Sequence, residues 1–159
     1  SETEFINNFL KTKENMLNGI DLGCSNRKKI NFSVGIDQDR CGGKTNELVW
    51  DGTKELPFRD ETLDFICGSH IIEHIEDPVQ AIEDWMKKLR VGGVLLLIVP
   101  HKTFIPNIGT PDGDPTHIRD FTPKSFKIDV LDRLNIKYGL LSFDNLKNNW
   151  SFDCFLVKL

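Results

Sequence analysis

Residues 94–99 read VLLLIV, apolar at every position, and lie between Gly92-Gly93 and Pro100. A half-exposed strand alternates polar and apolar residues, so a run with no polar position has to be covered on both faces. A sheet sandwiched between helices meets that requirement. Shorter strand-like runs come before it at residues 19–23 (GIDLG), 33–37 (SVGID), 47–51 (ELVWD) and 63–69 (LDFICGS). Residues 4–17 predict a helix whose imperfect apolar face is Phe5, Phe9, Leu10, Met16 and Leu17. Asp77-Pro78 opens a second, with Asp as N-cap and Pro at the first helical position. Its apolar positions are Val79, Ile82, Trp85, Met86 and Leu89, and Gly92-Gly93 is its expected stop. Thr122-Pro123 opens a third, running to about residue 134. Residues 136–144 and 151–158 are strand-like, with 145–149 as the turn of an antiparallel hairpin. The expected fold is therefore α/β: a Rossmann-like, mostly parallel sheet with helices on both faces and a C-terminal antiparallel hairpin. One domain is expected over residues 1–159, with 1–17 as an N-terminal cap helix.

Composition narrows the function. The 159 residues carry a net charge of -4, with 39% hydrophobic and 28% charged residues, as in ordinary soluble domains. Binding to a phosphate backbone needs clustered Lys and Arg, and only Arg27-Lys28-Lys29 and Lys87-Lys88 stand out, so no nucleic-acid partner is expected. Cys24, Cys41, Cys67 and Cys154 form no CxxC pair and imply neither a disulfide framework nor a zinc ribbon. The acidic start lacks the layout of a signal peptide, and no apolar run is long enough to span a bilayer. A cytoplasmic protein with no membrane partner is the expectation.

In open α/β sheets, ligands bind beyond the carboxyl ends of the strands where strand order reverses. Those ends carry Gly23-Cys24-Ser25, Asp37, Asp51-Gly52, Ser69-His70 and Pro100-His101. Alone, Gly23 reads as a turn, and Asp37 or Asp51 as a strand-end residue; polar groups at four successive strand ends read as a binding crevice.

The order IDLGC, VGID, DGTKELPFRDETLDFICGSHIIEHIEDP and LRVGGVLLLIVPH resembles class I methyltransferases that use S-adenosylmethionine (SAM), most of all the type 11 small-molecule group. The resemblance runs from about residue 18 to the end. It implies SAM as cofactor. It places Asp21, Gly23, Cys24 and Ser25 against the methionine moiety and Asp37, with Gln38 beside it, at the ribose hydroxyls. Asp51 and Gly52 go to the adenine, and Ser69 and His70 lie near the sulfonium. Two departures stand out. Ser25 and Arg27 occupy the second and third positions of the usual GxGxG loop, and the short segment 24–32 leaves little room for the usual helix.

His70-Ile-Ile-Glu73-His74 also matches the inverted zinc-protease motif HxxEH. It directly follows a strand end and has no obvious third ligand on a later helix. Glu73 and His74 are therefore expected to pack or cap, and no metal site is expected. Methyl transfer to oxygen or nitrogen is helped by a general base, for which His70, His101 and His117 are the candidates. His101 is expected to face the same crevice as His70. The stretch 114–119 (DPTHIR) suggests an ordered lid, with Asp112, Asp114 and Arg119 orienting a polar acceptor or, for His117 and Arg119, merely anchoring the loop. The acceptor is expected to be a small molecule, with saccharides among the candidates. The competing readings are a catalytically silent Rossmann-like module and a nucleotide-dependent oxidoreductase; the missing GxGxxG counts against the latter.

Overall fold

The computed structural model describes residues 1–13, 16–25, 28–38, 47–104, 108, 110–111, 113–146 and 150–159. Arg27, Cys41 and Asp112, named above, lie outside them. The described strands are β1 (Gly19–Leu22), β2 (Val34–Asp37), β3 (Leu48–Val49), β4 (Leu63–Ser69), β5 (Leu89–Pro100), β6 (Tyr138–Phe143) and β7 (Ser151–Lys158). They form one sheet in the order β3-β2-β1-β4-β5-β7-β6. The pairs from β3 to β5 are parallel, whereas β7 runs antiparallel to both β5 and β6. The order reverses between β1 and β4, which is where a doubly wound sheet opens its crevice.

Side chains along β4 and β5 alternate between two cores. Ile66, Leu95, Leu97 and Val99 pack with Trp85 and Phe126, which come from α2 (Pro78–Lys88) and α3 (Pro123–Asp129). Phe65, Cys67, Val94, Leu96 and Ile98 pack on the other side with Ile6 and Leu10 of α1 (Glu2–Lys11). Helices therefore lie on both faces, as the uniformly apolar run requires. No described helix is long and apolar enough to cross a membrane.

Three boundaries differ from the sequence expectation, each for a local reason. α1 starts at Glu2 because the Ser1 side chain and Glu4 form a capping box, and it stops at Lys11. Leu17 and Asn18 instead donate their amides to Asp64 Oδ2, at 3.0 and 2.8 Å. α2 ends at Lys88, before the glycines, because the Glu61 and Thr62 amides take the Lys87 and Lys88 carbonyls at 3.0 Å each. Gly92 and Gly93 thus lie within β5, where the pairing with β4 jumps from Leu63↔Leu89 to Phe65↔Val94. Gly92 has φ +79°, and a Cβ on Gly93 would stand 2.9 Å from the Arg90 carbonyl oxygen. These glycines make a bulge and do not stop a helix. The third helix ends at Asp129 and is followed by a 3-10 turn, Leu131–Arg133.

Trp85 links this core to the crevice. Its side chain is 1% exposed, and its Nε1 donates to the Gly52 carbonyl at 3.1 Å. Trp85→Ala is expected to cost about 3–5 kcal/mol in denaturant unfolding. Trp85→Phe, which chiefly leaves the Gly52 carbonyl unpaired, should cost about 1–3 kcal/mol. Two variants of wild-type stability would contradict this packing.

Candidate functional site

β1 ends at Leu22, and the next residue, Gly23, turns the chain out of the strand with a φ of +63°. The Gly23 and Cys24 amides both donate to the Ile36 carbonyl of β2, at 2.9 and 3.2 Å. Ser25 also adopts a left-handed backbone, φ +49°, and its amide donates to Asp37 Oδ2 at 2.9 Å. The loop therefore keeps a glycine-type conformation at a position that holds serine, at a cost of about 1–2 kcal/mol. Asp21 holds the far side of the loop: its buried Oδ2 accepts from the Lys29 and Ile30 amides. Burial, opposed by these amides, pushes the Asp21 carboxyl up to about 6.

Two cavities open at the strand ends. One, of about 400 Å³, is lined by Asp37, Gln38, Asp51, Gly52 and others. The second, of about 670 Å³, is lined by Glu2, Asp21, Cys24, Lys29, Ser69 and Trp150, among others. Gly23, Ser25 and His70 belong to both. Both volumes lie in the range usual for small-ligand sites. Asp51 Oδ1 accepts from the Thr53 hydroxyl at 2.6 Å and its amide at 2.9 Å. The hydroxyl bond comes first among the causes that hold its carboxyl below the ordinary range. The Ser69 hydroxyl is buried and has no hydrogen-bond partner among the described residues.

A family described as a methyltransferase domain matches residues 20–97. Over these residues the chain carries a methyltransferase domain of the SAM-dependent type. It is similar to a probable S-adenosylmethionine-dependent methyltransferase of Mycolicibacterium smegmatis, 37% identical over 67 residues, covering 42% of this chain and 26% of that protein. It is also similar to the tRNA (carboxymethyluridine(34)-5-O)-methyltransferase of Saccharomyces cerevisiae, 33% identical over 108 residues, covering 58% of this chain and 38% of that protein. The chain thus spans well under half the length of these relatives. A SAM-dependent methyltransferase of Thermotoga maritima has the same fold, with a TM-score of 0.72 at 13% identity over 100% of this chain and 88% of that one.

The residues present in this methyltransferase domain fit SAM. Gly23 lets a ligand approach the backbone closely, acids stand at the ends of β2 and β3, and the orphaned Ser69 hydroxyl lies in the wall of the second cavity. All nine cofactor residues expected from the sequence line one cavity or the other, as does His70.

The other two histidines lie elsewhere. His101 lines neither cavity; it bridges to Phe121, its Nδ1 accepts from the Thr103 amide at 3.2 Å, and its ring lies 4.9 Å from that of Phe104. The expectation that it shares the crevice with His70 is therefore corrected, because the chain after β5 folds toward Phe121 and Phe152. His117 also lines neither cavity and packs edge-on against His74, with ring centroids 4.5 Å apart.

The loop carrying His117 is tied down. The Ile118 and Arg119 amides donate to the Glu73 carbonyl at 3.1 and 3.2 Å, and Arg119 Nε donates to the Ile75 carbonyl at 3.2 Å. Arg119 Nη2 also donates to the Glu76 carbonyl, so Arg119 anchors the loop and does not reach into the crevice. Asp114 Oδ1 accepts from the Thr116 amide and hydroxyl at 2.8 and 2.6 Å. Of the two roles expected for Glu73, packing and capping, the structure shows the first: its side chain is buried and makes no cap hydrogen bond to the 3-10 turn at residues 72–74. Burial pushes its carboxyl up despite its own backbone amide and the pull of His70 and His74, and burial draws the His117 imidazole down.

Sequence reasoning missed Glu2 and Thr116. Glu2 reaches the crevice because α1 docks there: its Oε1 lies 3.1 Å from His70 Nε2 and 2.7 Å from Ser151 Oγ. Burial works against the Glu2 carboxylate, but the His70 and Ser151 hydrogen bonds outweigh it and bring the pKa down from 4.5 to about 2. A depressed carboxyl pKa contributes stability that is full above the ordinary value and is lost as pH falls through the folded one. The stability advantage of wild type over Glu2→Gln should therefore be full above pH 4.5 and vanish toward pH 2, read by urea melts across that range. A difference independent of pH would show that Glu2 is not paired. Ser25→Gly relieves the left-handed strain and should raise stability by about 1 kcal/mol, or Tm by roughly 2–4 °C. Unchanged or lower Tm would contradict the loop conformation.

Proposed function

We propose that residues 1–159 form one SAM-dependent methyltransferase unit, capped by α1, that methylates a small polar acceptor, with saccharides as the first class to test. The observation that carries this reading is the meeting of the two cavities at Gly23, Ser25 and His70. One has the acids suited to an adenosine; the other has Asp21, Cys24 and Ser69, suited to a methionine tail. Bound SAM supplies a methyl group already activated on a sulfonium.

The protein's task is then to align the acceptor, exclude water and handle a proton. His70 is the histidine placed for the last of these. With Nε2–H donated to Glu2, Nδ1 is the nitrogen left to accept a proton. Burial opposes the charged imidazole, yet the Glu2 carboxylate raises its affinity for a proton above the ordinary value. The buried thiols Cys67 and Cys154 suit a reducing, cytoplasmic setting. A second reading, an RNA acceptor, is favoured by the similarity to the yeast tRNA enzyme; the net charge of -4 weighs against it.

Calorimetric titration with SAM and S-adenosylhomocysteine tests the cofactor site. Both should bind, and Asp37→Ala should weaken binding at least roughly 10-fold through loss of charge-assisted hydrogen bonds. Failure of the folded protein to bind either would leave the silent-module reading. Transfer of labelled methyl to sugars or small phenols supports the acceptor class; transfer to tRNA alone would replace it.

A further inference from the structure

Glu73 is buried to 0% exposure, and among the described residues no other residue gives either carboxylate oxygen a hydrogen bond. A buried carboxylate without a partner is strongly unfavourable, so its surroundings must compensate it. Glu73 Oε1 stands 3.8 Å from His74 Nε2 and 3.7 Å from His117 Nε2. These separations are too long for direct hydrogen bonds. One donor atom from each of the three residues lies within 4.8 Å of the others. Two tetrahedral ligands about 2.0–2.1 Å from one zinc ion stand roughly 3.4 Å apart, so a small inward adjustment would let all three share an ion.

The tautomer of His74 supports the same conclusion. Its Nδ1 lies 3.2 Å from the Thr116 carbonyl oxygen and 3.0 Å from the Thr116 hydroxyl. That hydroxyl donates its proton to Asp114 at 2.6 Å, and a carbonyl oxygen only accepts. Nδ1 therefore carries the hydrogen, and in the neutral ring Nε2 turns a lone pair toward the Glu73 carboxylate. Two acceptors then face each other and want a cation between them. An imidazole whose far N–H is held by a carbonyl or an acid-linked group is the usual outer arrangement of a metal-ligating histidine. The loop is held at this place by Glu73 itself, whose carbonyl accepts the Ile118 and Arg119 amides.

We infer that Glu73, His74 and His117 form a site for one divalent transition cation of the zinc type, set in the wall of the cofactor cavity. His74 and Thr116 line that cavity, so the cluster adjoins it. Two imidazoles and one carboxylate suit zinc better than magnesium or calcium. The donors differ from those of the HxxEH protease motif, in which both motif histidines bind and the glutamate acts as base. Here Glu73 is a ligand, His70 Nε2 is engaged by Glu2 and Ser151, and His117 arrives from the distant loop. The inference is independent of methyl transfer, and its test uses no SAM.

Chelator-stripped protein is titrated with zinc chloride by calorimetry and with cobalt chloride by visible absorption. One equivalent per chain and a tetrahedral cobalt spectrum are expected. Glu73→Gln and His117→Asn should each lower zinc affinity at least about 100-fold, and Thr116→Val roughly 10–100-fold through the outer support of His74. His101→Ala, outside the cluster, should bind as wild type. No stoichiometric uptake by the folded wild-type chain would overturn the site, and so would uptake undiminished in Glu73→Gln and His117→Asn. Where a variant fails to fold, the wild-type cobalt spectrum decides, because octahedral or absent bands exclude this ligand set.

Discussion

β5 has to be covered on both faces, and the placement of the rest of the sheet follows from that. Leu95, Leu97 and Val99 enter the core under α2 and α3, while Val94, Leu96 and Ile98 enter the core under α1. Each such side chain contributes roughly 1.5–3 kcal/mol when removed from water, so leaving either face open would remove more than the usual margin of stability. With β4 and β5 paired in parallel and β1 on the far side of β4, the chain has to leave the sheet in opposite directions after β1 and β4. The crevice between Gly23 and His70 is that divergence. It exists before any ligand does.

The shortness of segment 24–32 has a structural counterpart in α1. The described residues there form turns, and Asp21 holds them by the Lys29 and Ile30 amides. Ile30 joins the core beneath α1, whose Asn7 donates to the Lys29 carbonyl at 3.1 Å. α1 therefore covers apolar surface beside the loop and at the same time brings Glu2 to His70. Cap and catalytic candidate are coupled: an interaction that docks the helix also sets which nitrogen of His70 carries a proton.

Much of this was legible in the sequence. The uniformly apolar run, the Asp-Pro and Thr-Pro helix starts and the terminal hairpin depend on local periodicity and capping, which a sequence displays directly. So do the strand ends that carry Gly23, Asp37, Asp51 and Ser69. Other features were hidden because tertiary contacts decide them. Gly92-Gly93 looks like a helix stop until the amides of residues 61 and 62 are seen to end α2 first. His101 follows a strand end as His70 does, yet Phe104 and Phe152 draw its ring elsewhere. Nothing in the spacing tells that His117, more than 40 positions later, returns to Glu73.

That return bears on why a carboxylate is buried here at all. A buried Glu73 would be replaced at little loss by a packed hydrophobe if packing were its only role, because buried ion pairs often stabilise less than well-packed apolar substitutes. Instead it stands among three imidazoles, of His70, His74 and His117, at 3.7 to 4.0 Å. Its own backbone carbonyl binds the loop that supplies one of them. The group that organises the loop is thus also the group whose charge needs neutralising. A positive centre among those rings, whether a proton on one of them or an ion shared by several, would strengthen the docking of the loop over the cavity. Neutralisation of Glu73 and the anchoring of residues 114–119 therefore act on the same residue, one through its side chain and the other through its carbonyl.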